Sequence, residues 1–329
     1  MHSKSGLILL LLVVSLASAR LSSAQLPAQC IAVVTEINGE ALLKKANKNE
    51  FVKVYWGTQL FHGDQVKTLD KSEVKLLFSN NNFISLGPNS MITISGKGSS
   101  ATEALGEVRN ISSAMMVNIS GLTLKKDNKR DVGALAGLRS YNIEQTIDLR
   151  SPCNTFIKTN HPSFSWQTKK PYDKFIVNLY DSRGLVWSRK VSDSTLNYPE
   201  NEKALDFGQS YFWNVEGEDV IDNDKSANHK FTVLTLEKSK EVEENEKTIR
   251  NTFINESGSS SLHSMLGAFY INQGLIQDAI GEFQIISKIN SEAPLPHEIL
   301  GSLYSDSGDK DRAIEELQKA LVLAKNKDK

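Results

Sequence analysis

The stretches HSMLGAFYINQGLIQDAIGEFQ (263–284) and HEILGSLYSDSGDKDRAIEELQ (297–318) decide the fold of the carboxyl-terminal part of the chain. They are identical at nine positions when one is shifted by 34 residues onto the other. A small residue such as Gly267 allows two helices to approach closely, and a large one such as Phe283 fills the seam between them. Gly274 suits the turn that joins the two helices. The sequence therefore predicts two successive helical hairpins.

This pattern resembles the tetratricopeptide repeat (TPR), which has the same period and the same order of Leu-Gly, Tyr, mid-repeat Gly and later Ala. The resemblance implies two TPR repeats over residues 259–329, with Pro294 and Pro296 at the break between them. It also implies a groove, lined by the first helix of each repeat, that binds envelope or periplasmic proteins. The residues predicted to face this groove are Ser264, Asn272, Glu298 and Asp306.

Two repeats are fewer than the three that a stable array usually needs. Residues 237–258 are dense in charge, while Val242, Ile249 and Phe253 recur at helical spacing, so we predict a charged helical linker with one packed side. Either this helix supplies the missing packing or the exposed end of the repeats contacts another subunit. A purely structural role for the helical tail is an equally open interpretation.

Residues 151–236 show short alternating strands separated by turns, which predicts a β-sandwich. The region resembles bacterial fibronectin-III-like or Ig-like modules. Trp166 and Trp213 fall at alternating strand positions, so we predict that they pack in the core rather than form a sugar-stacking platform. The segments that carry the resemblance are PSFSW (162–166), YDKFIVNLYDSRGLVW (172–187) and LDFGQSYFWNV (205–215).

Residues 31–96 also alternate in short strands and predict an all-β unit. Gly63-Asp64 predicts a tight turn in which the Asp carboxylate accepts from backbone N–H groups. The segments WGTQLFHGDQVKT (56–68) and ISLGPNS (84–90), with GALAGLRS (133–140) further on, resemble the FecR domain. We therefore predict a FecR-like domain over residues 25–150.

The FecR resemblance implies a periplasmic β-module that binds a cell-wall or other envelope ligand. In the founding members it is a sensor that relays a signal from an outer-membrane receptor to a membrane-bound regulator. The sequence departs from those members because we find no cytoplasmic segment and no membrane helix. A signal-relay role here would act through a separate membrane regulator.

The first residues, MHSKSGLILLLLVVSLASARLSSAQ, have the composition of a secretory signal peptide: a positive start, a short apolar run and small residues after it. We predict a signal peptide over residues 1–24, with cleavage after Ala19 or Ala24. The apolar run is shorter than the roughly 20 residues that a membrane span needs. The expected location is therefore periplasmic or secreted, with no transmembrane segment after signal removal.

The chain has two cysteines, Cys30 and Cys153. In an exported protein they can form a disulfide, and each precedes a predicted β-domain. Two free thiols are the alternative, and lipidation of Cys30 fits the preceding residues poorly. No Cys and His spacing predicts a zinc site, and we predict no metal or other cofactor.

The composition also limits the function. Lys plus Arg number 38 against 39 for Asp plus Glu, which argues against a nucleic-acid binder. No GxSxG, HExxH or Gly-rich phosphate loop is present, so the sequence predicts no catalytic residue. The leading hypothesis is a non-enzymatic, exported binding and scaffolding protein. The alternatives are a FecR-type signal relay and, with little support, a carbohydrate-active or hydrolytic enzyme.

Overall fold

The computed structural model describes residues 30–80, 82–95, 108–110, 146–218 and 223–327. The predicted signal peptide (1–24) and the GALAGLRS segment (133–140) lie outside these residues. Within the described residues, strands come first and helices last. The fold is therefore mixed β and α, as predicted, with a β-rich amino-terminal part and a helical carboxyl-terminal part.

A first β unit is formed by short antiparallel strands in two sheets. Its strands are β1 Ala32–Asn38, β2 Ala41–Lys44, β3 Phe51–Lys53, β4 Gln59–Leu60, β5 Gln65–Thr68, β6 Glu73–Phe78, β7 Asn82–Leu86, β8 Met91–Thr93 and β9 Val108–Asn110. The larger sheet has the order β4-β1-β6-β7-β9, and the smaller one has the order β3-β2-β5-β8. A hydrophobic core fills the space between the two sheets.

Strand β6 shows that both faces of the larger sheet are covered. Val74, Leu76 and Phe78 belong to the core between the two sheets, whereas Leu77 belongs to a different core on the opposite face. A strand that is apolar on both faces must be covered on both. The five-stranded sheet is accordingly the middle of three layers, with the four-stranded sheet on one side and helices on the other.

The second β unit is a sandwich of two further sheets. Its strands are β10 Ile147–Ser151, β11 Thr155–Ile157, β12 Ser163–Thr168, β13 Lys174–Asp181, β14 Gly184–Val191, β15 Thr195–Asn197, β16 Ser210–Glu218, β17 Asn223–Lys225 and β18 His229–Val233. One sheet has the order β10-β12-β15 and the other the order β11-β18-β16-β13-β14, with β17 beside β16. The unit begins at Ile147 because β10 pairs with β12, so the boundary predicted at residues 150 and 151 falls inside a strand.

Aromatic side chains fill the core of the second β unit. Trp166 and Trp213 are both buried, which confirms the prediction that they pack in the core. The indole N–H of Trp213 donates to the carbonyl of Pro152 at 2.7 Å. Phe164 lies against Trp213, with ring centroids 4.9 Å apart. Among the described residues, none from the first β unit contributes to this core.

The helical region follows directly. Its helices are α1 Leu236–Thr252, α2 Ser260–Gln273, α3 Ile276–Ile289, α4 Pro294–Ser307 and α5 Lys310–Lys327, with a 3-10 turn Ile254–Glu256 after α1. Thr235 and Ser259 cap α1 and α2 through their hydroxyls. Gly274 and Gly308 end α2 and α4 with positive φ angles of 71° and 90°, a conformation that favours glycine.

The helices and the first β unit share one hydrophobic core. Val33, Leu77 and Phe83 of the five-stranded sheet pack with Val242 and Ile249 of α1 and with most of α2. The packed side predicted for the charged helix is therefore confirmed, and the sheet is among its partners. None of the helices in the described part of the chain is long and apolar enough to cross a membrane.

Candidate functional site

Ser264, the first residue predicted to face a partner groove, is buried in α2. Its hydroxyl donates to the carbonyl of Ser260 at 2.6 Å and accepts from the indole N–H of Trp56 at 3.0 Å. Trp56 is itself only 2% exposed. The prediction that Ser264 faces an external partner is therefore wrong, because the first β unit already occupies its position.

The turn that carries Trp56 packs against the helices. The hydroxyl of Thr58 donates to the carbonyl of Tyr55 at 2.7 Å and closes the turn. Gly57 has a φ of 77°, and a Cβ there would lie 2.4 Å from Leu295 at the start of α4. The Trp56 ring meets Phe283 of α3 edge-on, with centroids 6.3 Å apart. The inner side of the first hairpin is thus filled from within the protein.

The other three predicted groove residues have different surroundings. Asn272 and Asp306 are exposed in the last turns of α2 and α4, and Glu298 in α4 is half-buried. The turns next to them contact the second β unit, since the carbonyl of Gly274 accepts from the N–H of Phe156 at 3.0 Å. What remains of the predicted groove is therefore an exposed rim, which we define as Asn272, Glu298 and Asp306.

Each hairpin holds a His–Glu pair that the sequence reasoning missed; the pair is buried in the first hairpin and half-buried in the second. His263 Nδ1 lies 2.5 Å from Glu282 Oε2, and His297 Nδ1 lies 2.6 Å from Glu316 Oε2. Burial alone would raise the pKa of Glu316, but hydrogen bonds from His297 and Lys319 lower it. The His and the Glu of the first pair recur 34 residues later, and this recurrence was the sequence signal that could have revealed the pairs. Each pair joins the first helix of a hairpin to the second.

A buried lysine joins the first β unit to the segment after α1. Lys75 Nζ lies 2.7 Å from Glu256 Oε2 and 3.2 Å from Glu36 Oε1. Burial alone would lower the pKa of Lys75, but the two carboxylates raise it. Beside it an open pocket of about 580 Å³ is lined by Asn38, Lys71, Ser72, Glu73, Lys75, Phe83, Ser85, Gly87, Pro88 and Glu256. No sequence motif marked this pocket.

Two more ionic junctions tie the second β unit to the helices. Lys158 Nζ lies 2.9 Å from Glu246 of α1 and 3.1 Å from Asp278 of α3. Burial would lower the pKa of Lys158, but these two carboxylates raise it. At the other end of the hairpins, Asp309 binds both Arg150 and Arg312. Each junction pairs one charge with two charges of the opposite sign.

Both cysteines are free thiols, so the disulfide that the sequence allows is not present in the structure. Cys30 is half-buried beside the core shared by the sheet and the helices, whereas Cys153 is buried in the core of the second β unit. Burial raises the pKa of Cys153 to about 12. Such a thiol is a poor nucleophile, because the thiolate is the reactive form.

In the part of the chain that the structure describes, no group of three or more His, Cys, Asp or Glu side chains is arranged to hold a metal ion. The buried polar clusters described above are of two kinds, His–Glu pairs within a hairpin and Lys or Arg clusters between units. All of them lie where one element meets another. Their geometry is that of contacts that hold neighbouring secondary-structure elements together.

No protein-family model matches the sequence, and no curated protein matches it. Among solved structures, a cell surface anchoring domain is 17% identical, with a TM-score of 0.20, over 23% of this chain and 99% of its own. An α-L-rhamnosidase from Dictyoglumus thermophilum is 20% identical, with a TM-score of 0.22, over 28% of this chain and 12% of the enzyme. A β-1,2-glucanase from Parabacteroides distasonis is 9% identical, with a TM-score of 0.23, over 90% and 60% respectively. At such TM-scores none of these likenesses assigns a fold or a function.

Proposed function

We propose that this chain is a non-enzymatic binding and scaffolding protein, exported to the periplasm or secreted from a bacterial cell. In this proposal the first β unit is FecR-like, the second is fibronectin-III-like or Ig-like, and α2 to α5 are two TPR repeats. The 34-residue repeat supports the TPR assignment, as do the His–Glu pairs that recur with it. The positive start and apolar run of residues 1–24 support export.

The observation that carries the scaffolding role is the way the hairpins contact both β units at once. Trp56 inserts beside Ser264 on one side, and Arg150 binds Asp309 on the other. Lys158 joins the second β unit to α1 and α3 together. The Trp56–Ser264 contact is buried and the ion pairs are half-buried, so the helices hold the two β units in a fixed arrangement. A fixed arrangement of binding modules is what a scaffold requires.

The exposed rim is where we place the binding of envelope proteins. Asn272 and Asp306 occupy equivalent positions of the two repeats, each two residues before the glycine that ends the first helix. A partner segment that lies across both hairpins would contact both residues. The rim carries one amide and two carboxylates, so a partner with backbone N–H groups or basic side chains would complement it.

The test is chemical cross-linking in the intact envelope, followed by mass spectrometry of the neighbours. The variant Asn272→Arg with Asp306→Arg places two cations on the rim. Its matched control is Asn251→Arg with Glu243→Arg on the exposed side of α1, which makes the same change in net charge. We expect the rim variant to lose neighbours that the control keeps.

Two outcomes would contradict the proposal. A wild-type chain with no neighbours beyond those of an unrelated exported protein would remove the binding role. Turnover of a small substrate by purified protein, abolished by a single change at an acidic residue, would show an enzyme instead. Retention of all neighbours by the rim variant would leave the binding role intact but place the binding surface elsewhere.

A further inference from the structure

The open pocket of about 580 Å³, which we call the sheet-end pocket, lies beside the part of the five-stranded sheet that the helices cover. On this face of the sheet, Leu77 and Phe83 are buried in the core shared with the helices. Side chains alternate along a strand, so Glu73 and Ser85 lie on the same face. Both are only half-buried and line the pocket. The 3-10 turn after α1 adds Glu256 to the lining.

Two of the charges that line the sheet-end pocket have no counter-charge in the described part of the chain. Lys75 and Glu256 form an ion pair with each other at 2.7 Å. Lys71 is exposed and makes no ion pair with any described residue. The carboxylate of Glu73 accepts a hydrogen bond from the Ser85 hydroxyl and, within the described residues, faces no cation at ion-pair distance. One ammonium and one carboxylate are therefore left for a ligand.

Two backbone positions shape the pocket. Lys71 has a φ of 53°, in the left-handed region that lysine rarely adopts and that asparagine or glycine tolerates better. A long cation at such a position favours a role for the side chain rather than for the turn. At Gly87, a Cβ would meet no atom of the described residues within 4 Å apart from its chain neighbours. The missing side chain leaves the pocket open there.

The lining argues against several classes of ligand. Phe83, the aromatic residue of the lining, is 3% exposed and offers no ring face on which a sugar could stack. An anion such as phosphate would meet two carboxylates, those of Glu73 and Glu256, beside the two ammonium groups. For a divalent cation, the described residues hold no cluster of three ligands.

A ligand with one positive and one negative end complements the two charges that remain. We propose that the sheet-end pocket binds a short peptide by its free ends, with the peptide carboxylate on Lys71 and the peptide ammonium on Glu73. The volume of about 580 Å³ lies within the range of about 300–1,000 Å³ that is typical of small-ligand pockets. The paired charges of Lys75 and Glu256 hold the neighbouring lining in place.

This inference is independent of the proposed binding of envelope proteins at the rim. The sheet-end pocket belongs to the first β unit and the 3-10 turn, whereas the rim belongs to the helical hairpins. Loss of peptide binding would leave the rim proposal standing, and loss of envelope neighbours would leave the pocket proposal standing.

Isothermal titration calorimetry of the purified chain with tri-alanine tests the proposal. We expect binding of the peptide whose two ends are free. Amidation of its carboxyl end removes the negative charge, and acetylation of its amino end removes the positive charge. Each change should weaken binding about tenfold, because one hydrogen bond between charged groups is lost.

Two substitutions assign the ends of the peptide to their partners. Lys71→Asn keeps a residue that tolerates the left-handed turn, and it should abolish the difference between the free and the amidated peptide. Glu73→Gln should abolish the difference between the free and the acetylated peptide. The matched controls, Lys48→Asn and Glu50→Gln, change exposed residues between β2 and β3 and should bind all three peptides like the wild type.

A third substitution fills the pocket without changing its charges. Gly87→Leu should abolish peptide binding, whereas Gly281→Leu, at an exposed glycine of α3 with an equally open Cβ position, should retain it. Absence of binding at millimolar tri-alanine would overturn the proposal. Equal binding of the peptide with both ends capped would overturn it as well. So would binding of the disaccharide cellobiose in preference to the peptide, since the pocket would then be a sugar site.

Discussion

At the scale of single residues, Trp56 decides which part of the helical groove is open. Its indole N–H needs an acceptor when it is buried, and Ser264 supplies one. Nothing in the pattern around either residue marks the pair, because 208 residues separate them along the chain. The sequence correctly predicted that the repeat forms helical hairpins, but it could not show that a tryptophan from the first β unit fills the first of them.

Replacing Ser264 by Ala should lower the free energy of unfolding by about 1–3 kcal/mol, because the buried Trp56 N–H loses its acceptor. Urea unfolding followed by tryptophan fluorescence measures this change. Ser302→Ala is the matched control, since Ser302 is exposed in α4, and it should change stability by less than about 0.5 kcal/mol. Equal effects of the two variants would contradict the role given to Ser264.

His229 is a second residue whose surroundings have a measurable effect, in this case on how the stability of the protein depends on pH. Its Nδ1 is buried without a hydrogen-bond partner where β18 meets Gly308. Burial lowers the pKa of His229, and nearby Asp309 offsets this only in part. The unfolded chain therefore binds the proton more tightly than the folded chain. Stability is fully present above about pH 6.5, the ordinary value for histidine, and declines as the pH falls below it.

His229→Gln should flatten the loss of stability between about pH 7 and pH 5, because the titrating group is gone. The free energy of unfolding in urea at several pH values measures the slope. His62→Gln, at an exposed turn, should keep the wild-type slope. If the wild type gained stability on acidification in this window, the sign of the His229 shift would be wrong.

Predictions about single residues were correct where neighbouring residues in the sequence determine the contact. The Asp64 carboxylate accepts from the N–H groups of Phe61 at 3.0 Å and Ala46 at 3.2 Å, as the Gly-Asp turn predicted. Lys75 shows the limit. Its two carboxylate partners lie 39 and 181 residues away in the sequence, so only the folded chain brings them together. The candidate site was therefore predictable only in part. Local turn contacts follow from the sequence, whereas contacts between residues far apart in the chain do not.

At the scale of elements, the helices were predicted well and their surroundings poorly. The 34-residue period, the glycines and Pro294 place α2 to α5 close to their observed bounds. Periodicity states which side of a helix is apolar, but it does not state what covers that side. Alternation in β6 predicts one buried face, and the sequence did not show that helices cover the other face as well.

Two glycines in neighbouring helices should respond to substitution in opposite directions. A Cβ at Gly267 would lie 2.9 Å from the Phe283 ring, so Gly267→Ala should destabilise the protein by about 1–3 kcal/mol. Gly281 has open space at its Cβ position in the middle of α3. Gly281→Ala should stabilise by about 0.5–1 kcal/mol, because alanine favours the helix. Thermal unfolding by circular dichroism distinguishes the two, and a change of the same sign in both would refute the packing described here.

At the scale of the whole molecule, the chain is less modular than its sequence suggests. The first β unit and the helices share a core, while the second β unit has its own core and meets the helices through half-buried ion pairs. Removal of the helices would expose Val33, Leu77 and Phe83 to water. A truncation of residues 259–329 would therefore test folding rather than partner binding, which is why the experiment on the rim uses charge changes on exposed side chains.

The two cores should also respond separately to substitution. Phe83 packs edge-on against Phe253, with ring centroids 5.5 Å apart, in the core that the sheet shares with the helices. Phe83→Ala should cost about 3–5 kcal/mol and speed amide hydrogen exchange in the five-stranded sheet, α1 and α2 alike. Phe164→Ala, in the core of the second β unit, should cost a similar amount but speed exchange in β13 and β16.

Mass spectrometry of peptides measures the exchange rate in every element for each variant, and each variant serves as the control for the other. If Phe83→Ala speeds exchange in the sheet but leaves α1 and α2 protected, the sheet and helices do not unfold together and the shared core is not a cooperative unit. Uniform acceleration along the chain in both variants would mean that the charged junctions couple the two cores completely. Separate responses would show that Lys158 and Arg150 fix the second β unit in place while its stability stays its own, because ion pairs position it and a different apolar core stabilises it.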